Sequence, residues 1–260
     1  MNDPGSRPAD WAEPALLRDQ LRRLRADQDR LFAELHAGEQ HFRQLARSVW
    51  RVQEDERRRL ARELHDGIGQ NLTALRHRLE NLAAHATLDA EAGAQLGTAI
   101  ALCGTALEET RSLSRLLRPQ ILDDLGLEPA LRWLARSVSE SAGFEVELDL
   151  HLPEPGLDGE LATLVFRLVQ EGLNNVAKHA AARHAVVRLS ARADPMQLLI
   201  VDDGRGCDAA SAQARAVQGQ SAGIVSMRER VRLFGGQLQF RSVPGEGTQL
   251  RVFLPRTISA

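Results

Sequence analysis

Apolar residues recur along the first third of the chain at spacings of three and four, which marks helices with one apolar face. Leu21, Leu35, Phe42 and Val49 fall at one heptad position, with Gln28 interrupting. Leu17, Leu24, Leu31, Leu45 and Val52 fall at the other, with Gly38 interrupting. About five heptads with charged flanks and a narrow seam predict a coiled coil over 15–55. Register is lost in "QEDERRR", 53–59, and a new stripe then runs through Leu64, Ile68, Leu72, Leu75, Leu79 and Leu82. A phase break of this kind changes supercoiling locally, so it is a candidate transmission point.

A polar stretch, "HATLDAEAG", leads to a second helix over about 91–118, so 56–118 reads as an antiparallel helical hairpin. One hairpin buries a single face, and two hairpins from two chains would complete a four-helix bundle. "RPQILDDLGLEP", with prolines towards both ends, ends the hairpin and makes 119–130 a linker. Beyond it the pattern alternates. Helices at about 128–142, 158–180 and 224–234 are interleaved with strands "FEVELDLH", "AVVRLSA", "MQLLIVDD", "GQLQFRS" and "TQLRVFLP". This predicts an α/β sandwich domain over 131–256, and an α+β multidomain class for the whole chain. Residues 1–14, with three prolines and few large apolar groups, are expected to be a disordered leader, and 257–260 a tail.

Composition changes the picture little. Among 260 residues the net charge is −2, which gives no electrostatic case for nucleic acid or an anionic membrane as main partner. Cys103 and Cys207 are the only cysteines; they make no disulfide framework and read as packing residues of a reduced, cytoplasmic protein. No apolar run reaches a membrane span, and no signal-peptide pattern is seen.

Four stretches carry candidate chemistry. In "RELHDGIGQNL", 62–72, His65 and Asp66 lie off the apolar stripe, and Gly67 and Gly69 follow. Each glycine costs a helix about 1 kcal/mol relative to alanine. In "VFRLVQEGLNNVAKHA", Glu171 and Asn175 project from one face with Lys178 and His179 a turn later, opposite Leu161, Leu164, Leu168 and Val176. A carboxylate, a carboxamide and an ammonium on one face suit a Mg2+–phosphate site, because hard cations take oxygen ligands. "VDDGRGCD", 201–208, runs a strand into an Asp-Asp-Gly-x-Gly turn where an aspartate can accept from an exocyclic amine. In "SAGIVSMRERVRLFGG", Gly223 opens a helix whose free amides suit phosphate, and "GEGT", 245–248, is a tight turn. Singly, each has an ordinary reading as a solvated face, an acidic turn or a hairpin turn. Their order and spacing together do not.

Residues 160–255 resemble the ATP-binding domain shared by sensor histidine kinases, gyrase, Hsp90 and mismatch-repair ATPases. The resemblance rests on Glu171…Asn175, Asp203-Gly204-Arg205-Gly206, the surroundings of Gly223, and Gly245-x-Gly247-Thr248. It implies Mg2+ held at Asn175 and the adenine amine bound by Asp203. It further implies ATP contacts from Lys178, His179, Gly204, Gly206, Gly223, Gly247 and Thr248, with Glu171 catalytic. "ERRRLARELHDGIGQNL" and "LLRPQILDDLGLEPAL" resemble the histidine-kinase subfamily of the nitrate/nitrite sensors, which works with response regulators carrying a helix-turn-helix output domain. This likeness extends over about residues 50–256.

By that resemblance, the nitrogen of His65 remote from Cβ attacks the γ-phosphate of ATP while Asp66 orients the ring. Asp66 and Gln70 form a pair that positions water against a phospho-aspartate. One departure stands out: Ser221-Ala222-Gly223 replaces the Gly-x-Gly of many relatives. Leu116, Leu117 and Leu125 are expected to dock the ATP domain apolarly. The whole reads as a homodimeric cytoplasmic sensor histidine kinase using ATP and Mg2+, with phosphatase activity and room for a separate sensor protein at the coiled coil. A non-catalytic, degenerate kinase that sequesters a regulator is the alternative. An anti-sigma-type serine kinase is disfavoured, because such proteins lack the His-bearing hairpin.

Overall fold

The computed structural model describes residues 13–154, 156–208 and 222–256. The expected leader therefore lies almost wholly outside the described residues, as do the 257–260 tail, Ser221 and most of the polar segment 203–223. The chain divides into two units, 1–48 and 49–260. No helix among the described residues is long and apolar enough to cross a membrane.

Helix α1, Glu13–Arg62, runs through both units. In the first unit its expected seam is bare: Leu21, Leu24, Leu31, Leu35, Phe42 and Leu45 are all exposed, while the side chain of Leu17 lies outside those described. A helix this long with an apolar stripe and polar flanks has no intramolecular reason to leave that stripe in water, which fits a seam built for another helix.

In the second unit α1 ends, and the backbone passes without a break into a seven-residue π-helix, π1, Glu63–Gly69, and then α2, Gln70–His85. The register lost in 53–59 is thus not a break in the helix. The backbone departs from α geometry at Glu63, where an i→i+5 turn shifts the phase of the faces. Asp89 caps α3, Ala90–Leu117, by accepting from Ala92 N at 2.7 Å. The hairpin closes on Leu107, which is buried, and on two long-range bonds. The Cys103 thiol points at Leu72 O (3.3 Å), and Ser114 Oγ donates to Ala61 O (2.9 Å). Ile68, Leu75, Leu82, Leu102 and Leu113 stay exposed, so one hairpin buries one face only, as expected.

The stretch 119–130 is more ordered than a linker. It contains α4, Gln120–Asp124, and opens α5, Leu127–Ala142, because Leu122 and Leu127 are drawn into the main core. The sheet that follows has the order β1-β2-β3-β5-β4, with β1 (Glu145–His151) parallel to β2 (His184–Ser190) and every other pair antiparallel. β3 is Met196–Asp202, β4 Gln237–Val243 and β5 Gly247–Leu254. Helices α5, α6 (Gly159–Asn175) and α7 (Ala222–Leu233) pack on the sheet. The apolar face of α6 sits at the centre: Leu161, Leu164 and Leu168 are fully buried. α6 ends in a second π turn, π2, Val176–Ala180.

The core also takes in the end of α1. Trp50 lies edge-on against Phe234, just past α7, with centroids 5.1 Å apart and planes at 85°. The expected apolar docking through Leu125 does not occur: Leu125 is exposed, and the side chain of Leu116 lies outside those described. Leu117 contributes its carbonyl instead, which accepts from Arg167 at 2.6 Å. Charge makes this junction, because Arg118 and Arg167 are both buried beside Glu54.

Leu168→Ala would empty a fully packed site between α6 and the sheet, at a cost of about 2–5 kcal/mol. Urea unfolding followed by circular dichroism should show a midpoint lowered to match. A midpoint equal to wild type would contradict the central place given to α6.

Candidate functional site

The four chemical stretches resolve into two places. The first is on the hairpin. His65, Asp66 and Gln70 lie in or next to π1, all exposed. His65 and Gln70 line one groove together with Leu64, Gly69, Thr73, His77, Leu107, Thr110 and Arg111, every one a hairpin residue. Thr73 Oγ1 donates back to Gly69 O at 2.8 Å, which helps close the turn after π1. A histidine presented on a π turn fits the habit of such turns to occur at functional positions. The glycines have room: a Cβ on Gly67 would meet nothing nearby, and on Gly69 only Leu64 O at 3.4 Å.

The second place lies at one end of the sheet, where segments far apart in sequence converge. Gly223, at the start of α7, sits so close to α6 that a Cβ there would collide with Glu171 Oε1 and come within 3.6 Å of Asn175 Nδ2. Three predicted residues from two motifs are thereby brought together. Lys178 and His179 follow in π2, both exposed, and the His179 carbonyl accepts from Arg205 Nε at 2.6 Å. Arg205 N donates to Ala180 O at 2.8 Å, and Gly204 packs so tightly on Ala180 that a side chain could not fit.

The loop 203–207 is clipped on its other side to the β4–β5 turn. Gly245 N donates to Arg205 O at 2.7 Å, and Cys207 N donates to Ser242 Oγ at 2.8 Å. Gly206 (φ +58°) and Gly247 (φ +80°) adopt left-handed backbone, and a Cβ on either would strike the facing chain, Val243 O and Asp202 O respectively. Thr248 lies beside Ser242, 3.0 Å between hydroxyls. Glu171, Asn175, Asp203, Gly204, Gly206, Gly223, Gly247 and Thr248 thus belong to one connected set of loops and helix ends.

Within the Asp-Asp doublet the two carboxylates face different ways. Met196, Leu198, Ile200 and Asp202 alternate onto the buried face of β3, and Asp202 is only 6% exposed. Burial pushes its carboxyl above the ordinary range, opposed by bonds from Gly204 N (3.0 Å) and from the backbone and hydroxyl of Thr248. Asp203 is exposed, and one of its oxygens accepts from Arg183 N (2.8 Å) and His184 N (2.9 Å) at the start of β2. Those amides, His184 first, hold its carboxyl below the usual carboxylate range. Strand alternation was the signal that distinguishes the pair. Ser242 and Ala180, which hold the glycine loop, leave no such signal because their role comes from contacts distant in sequence.

No group of three or more His, Cys, Asp or Glu able to cage a metal occurs among the described residues. A divalent cation here would draw most of its oxygen ligands from a nucleotide, and the carboxylate of Glu171 and the amide of Asn175 are side chains of the right chemistry to add to them.

Comparison with known proteins matches these two places separately. Residues 56–122 match the family described as histidine kinase, and residues 160–258 match the histidine kinase-, DNA gyrase B- and HSP90-like ATPases. The sensor histidine kinase MctS of Rhizobium johnstonii is 33% identical over 87% of this chain and 49% of its own length. The signal transduction histidine-protein kinase/phosphatase DegS of Brevibacillus brevis is 34% identical over 80% of this chain and 53% of its own. The kinase/phosphatase UhpB of Salmonella typhimurium is 37% identical over 82% and 41%. With both domains present in order, the chain belongs to the sensor histidine kinase family. It spans about half the length of the curated relatives it matches.

Asp203→Ala would remove an acceptor that two amides favour in its charged form. A carboxyl whose native pKa is depressed adds stability above its unfolded pKa and loses it as pH falls through the native one. Thermal melts should therefore show the variant below wild type at pH 7, with the gap closing as acid protonates Asp203 in the wild type. A gap independent of pH would contradict this account of the carboxylate.

Proposed function

We propose that the chain is an ATP-dependent protein-histidine kinase that phosphorylates itself on His65. The observation that carries the reading is the convergence of Glu171, Asn175, Gly223 and the glycine loop on one site, next in the chain to a hairpin that exposes His65 on a π turn. ATP would lie among the loop ends. The buried carboxylate of Asp202 and the outward one of Asp203 are the two candidates for the adenine amine, Asp203 by motif and Asp202 by burial at a strand end. Gly204, Gly206, Gly247 and Thr248 shape the wall beneath the base, and Gly223, Lys178 and His179 approach the phosphates. Mg2+ bound at Asn175 would neutralise phosphate charge.

In the transfer itself, the lone pair on His65 Nε2 forms the N–P bond as the bond from the γ-phosphorus to the bridging oxygen breaks, and ADP leaves with that electron pair. The imidazole is a nucleophile while one nitrogen is unprotonated. Asp66, adjacent on the exposed turn, accepts from the other ring nitrogen and fixes the tautomer. Glu171 stands near the phosphates as the carboxylate able to take a proton.

The phosphoryl group then passes to an aspartate of a response regulator with a helix-turn-helix output domain. Asp66 and Gln70 also support hydrolysis of that phospho-aspartate, a reading favoured by relatives named kinase/phosphatase. The bare stripes of α1 and of the hairpin support a homodimer, with a coiled coil over 15–55 and a four-helix bundle over 56–118. ATP use and the absence of a disulfide framework in a chain with two cysteines support placement in the cytoplasm. A separate sensor protein would meet the chain at the coiled coil.

Purified protein incubated with γ-labelled ATP and Mg2+ tests the reading. Wild type should take acid-labile, alkali-stable label. His65→Gln should take none while still binding nucleotide, and Asn175→Ala should lose both. Between Asp202→Asn and Asp203→Asn, the larger loss of nucleotide affinity identifies the adenine partner. Label retained in His65→Gln would overturn the assigned acceptor, and absence of ATP binding would favour the regulator-sequestering alternative.

A further inference from the structure

Glu54 lies on α1 about three helical turns before His65, just upstream of the residues that match the histidine kinase family. Only 6% of this acidic residue is exposed. Three guanidiniums meet it: Arg57 on α1, with Nη1 3.4 Å from Oε1, and two that are each 3% exposed. Arg167, on α6, approaches with Nε at 3.0 Å and Nη2 at 2.8 Å from Oε2, and Arg118, at the end of the hairpin, with Nη1 at 3.4 Å. Arg118 also grips Asp123 (2.8 Å) and Thr163 (3.2 Å). Burial pulls Arg167 below its ordinary pKa, and the carboxylate of Glu54 opposes that pull.

The arrangement has a direction. Arg51 pairs with Glu160 at the start of α6, and Glu54, about one turn further along α1, pairs with Arg167, about two turns further along α6. From the first pair to the second, α1 runs towards His65 and α6 towards Glu171 and Asn175. Glu171 and Asn175 lie one and two turns beyond Arg167 on α6. Burial holds the Arg230 guanidinium, on α7, below its ordinary pKa; the neighbouring Arg57 adds to that pull, and Glu54 and Glu171 oppose it. Fixing Arg167 on Glu54 thus fixes the phase and height at which the ATP site meets the helix bearing the acceptor.

We propose that Glu54 is a positioning residue for phosphoryl transfer to His65, acting through Arg167 and Arg118. It touches neither ATP nor the imidazole; it sets the approach of one to the other. The proposal rests on the kinase reading above.

The test compares full-length wild type, Glu54→Gln, and the exchange Glu54→Arg with Arg167→Glu, which again places one acid among three arginines because Arg57 and Arg118 remain. Initial rates of autophosphorylation against ATP concentration, and hydrogen exchange of residues 50–58, are measured on each. Glu54→Gln should lower kcat at least about tenfold, as misplacement of reacting groups does, with KM for ATP changed less than about twofold. Exchange over 50–58 should quicken, and the exchanged pair should recover rate and protection together. An unchanged or raised kcat in Glu54→Gln, a loss confined to KM, or no recovery in the pair would overturn the proposal. If wild type takes no label, the kinase reading fails by itself. The exchange data still decide the clamp: protection of 50–58 that survives Glu54→Gln overturns it, and protection lost and then regained in the pair upholds it.

Discussion

The junction of α1, the hairpin end and α6 depends on one carboxylate, Glu54, held by Arg57 and by two guanidiniums taken out of water, Arg118 and Arg167. Taking Glu54, Arg118 and Arg167 from solvent costs several kcal/mol for each ion, and only tight mutual pairing offsets it. Such a cluster is a poor source of net stability compared with packed leucines. It is a strict selector of geometry, since a small slip leaves buried charge unpaired, at about 3–5 kcal/mol. Three segments meet in it: α1, which leads into the π turn bearing His65, the end of the hairpin, and α6, which carries Glu171 and Asn175. A greasy contact would tolerate sliding between them; this one does not.

The helix α1 presents two adjacent stripes, one exposed and one packed on the sheet domain. Val49 and Val52 continue the exposed seam, while Trp50 and Glu54 turn inward to the sheet domain. Rotation of α1 by about one residue, roughly 100°, would carry one stripe into the place of the other. The π turn at Glu63–Gly69 then changes phase again just where His65 emerges. A helix read on different faces at successive heights can convert a small rotation into a different exposure of the acceptor.

Much of this was legible in the chain. The stripe over Leu161, Leu164, Leu168 and Val176 named the buried face of α6 correctly, because a fully covered helix leaves an unambiguous period. The five strands were legible for the same reason. The glycines at 204, 206, 223 and 247 were legible as turn and helix-start residues, but the neighbouring segments that leave no room for a Cβ at each are distant in sequence and were not. The π turns were hidden: local propensity does not distinguish i→i+4 from i→i+5 bonding. The preference of Asp202 for the interior was within reach through alternation with Met196, Leu198 and Ile200, yet the motif drew attention to Asp203. The Glu54 cluster could not be read at all. Its members lie more than a hundred residues apart at the extremes, and an arginine-rich helix end looks solvated until a domain covers it.

The phosphorus spectrum of the protein after incubation with ATP and Mg2+, followed by fragmentation of the phosphorylated chain under alkaline conditions, tests the central claim most directly. The account predicts a nitrogen-bound phosphoryl group in the peptide that contains His65, and nowhere else. Phosphate on a hydroxyl or carboxyl side chain, or on another histidine, would contradict it.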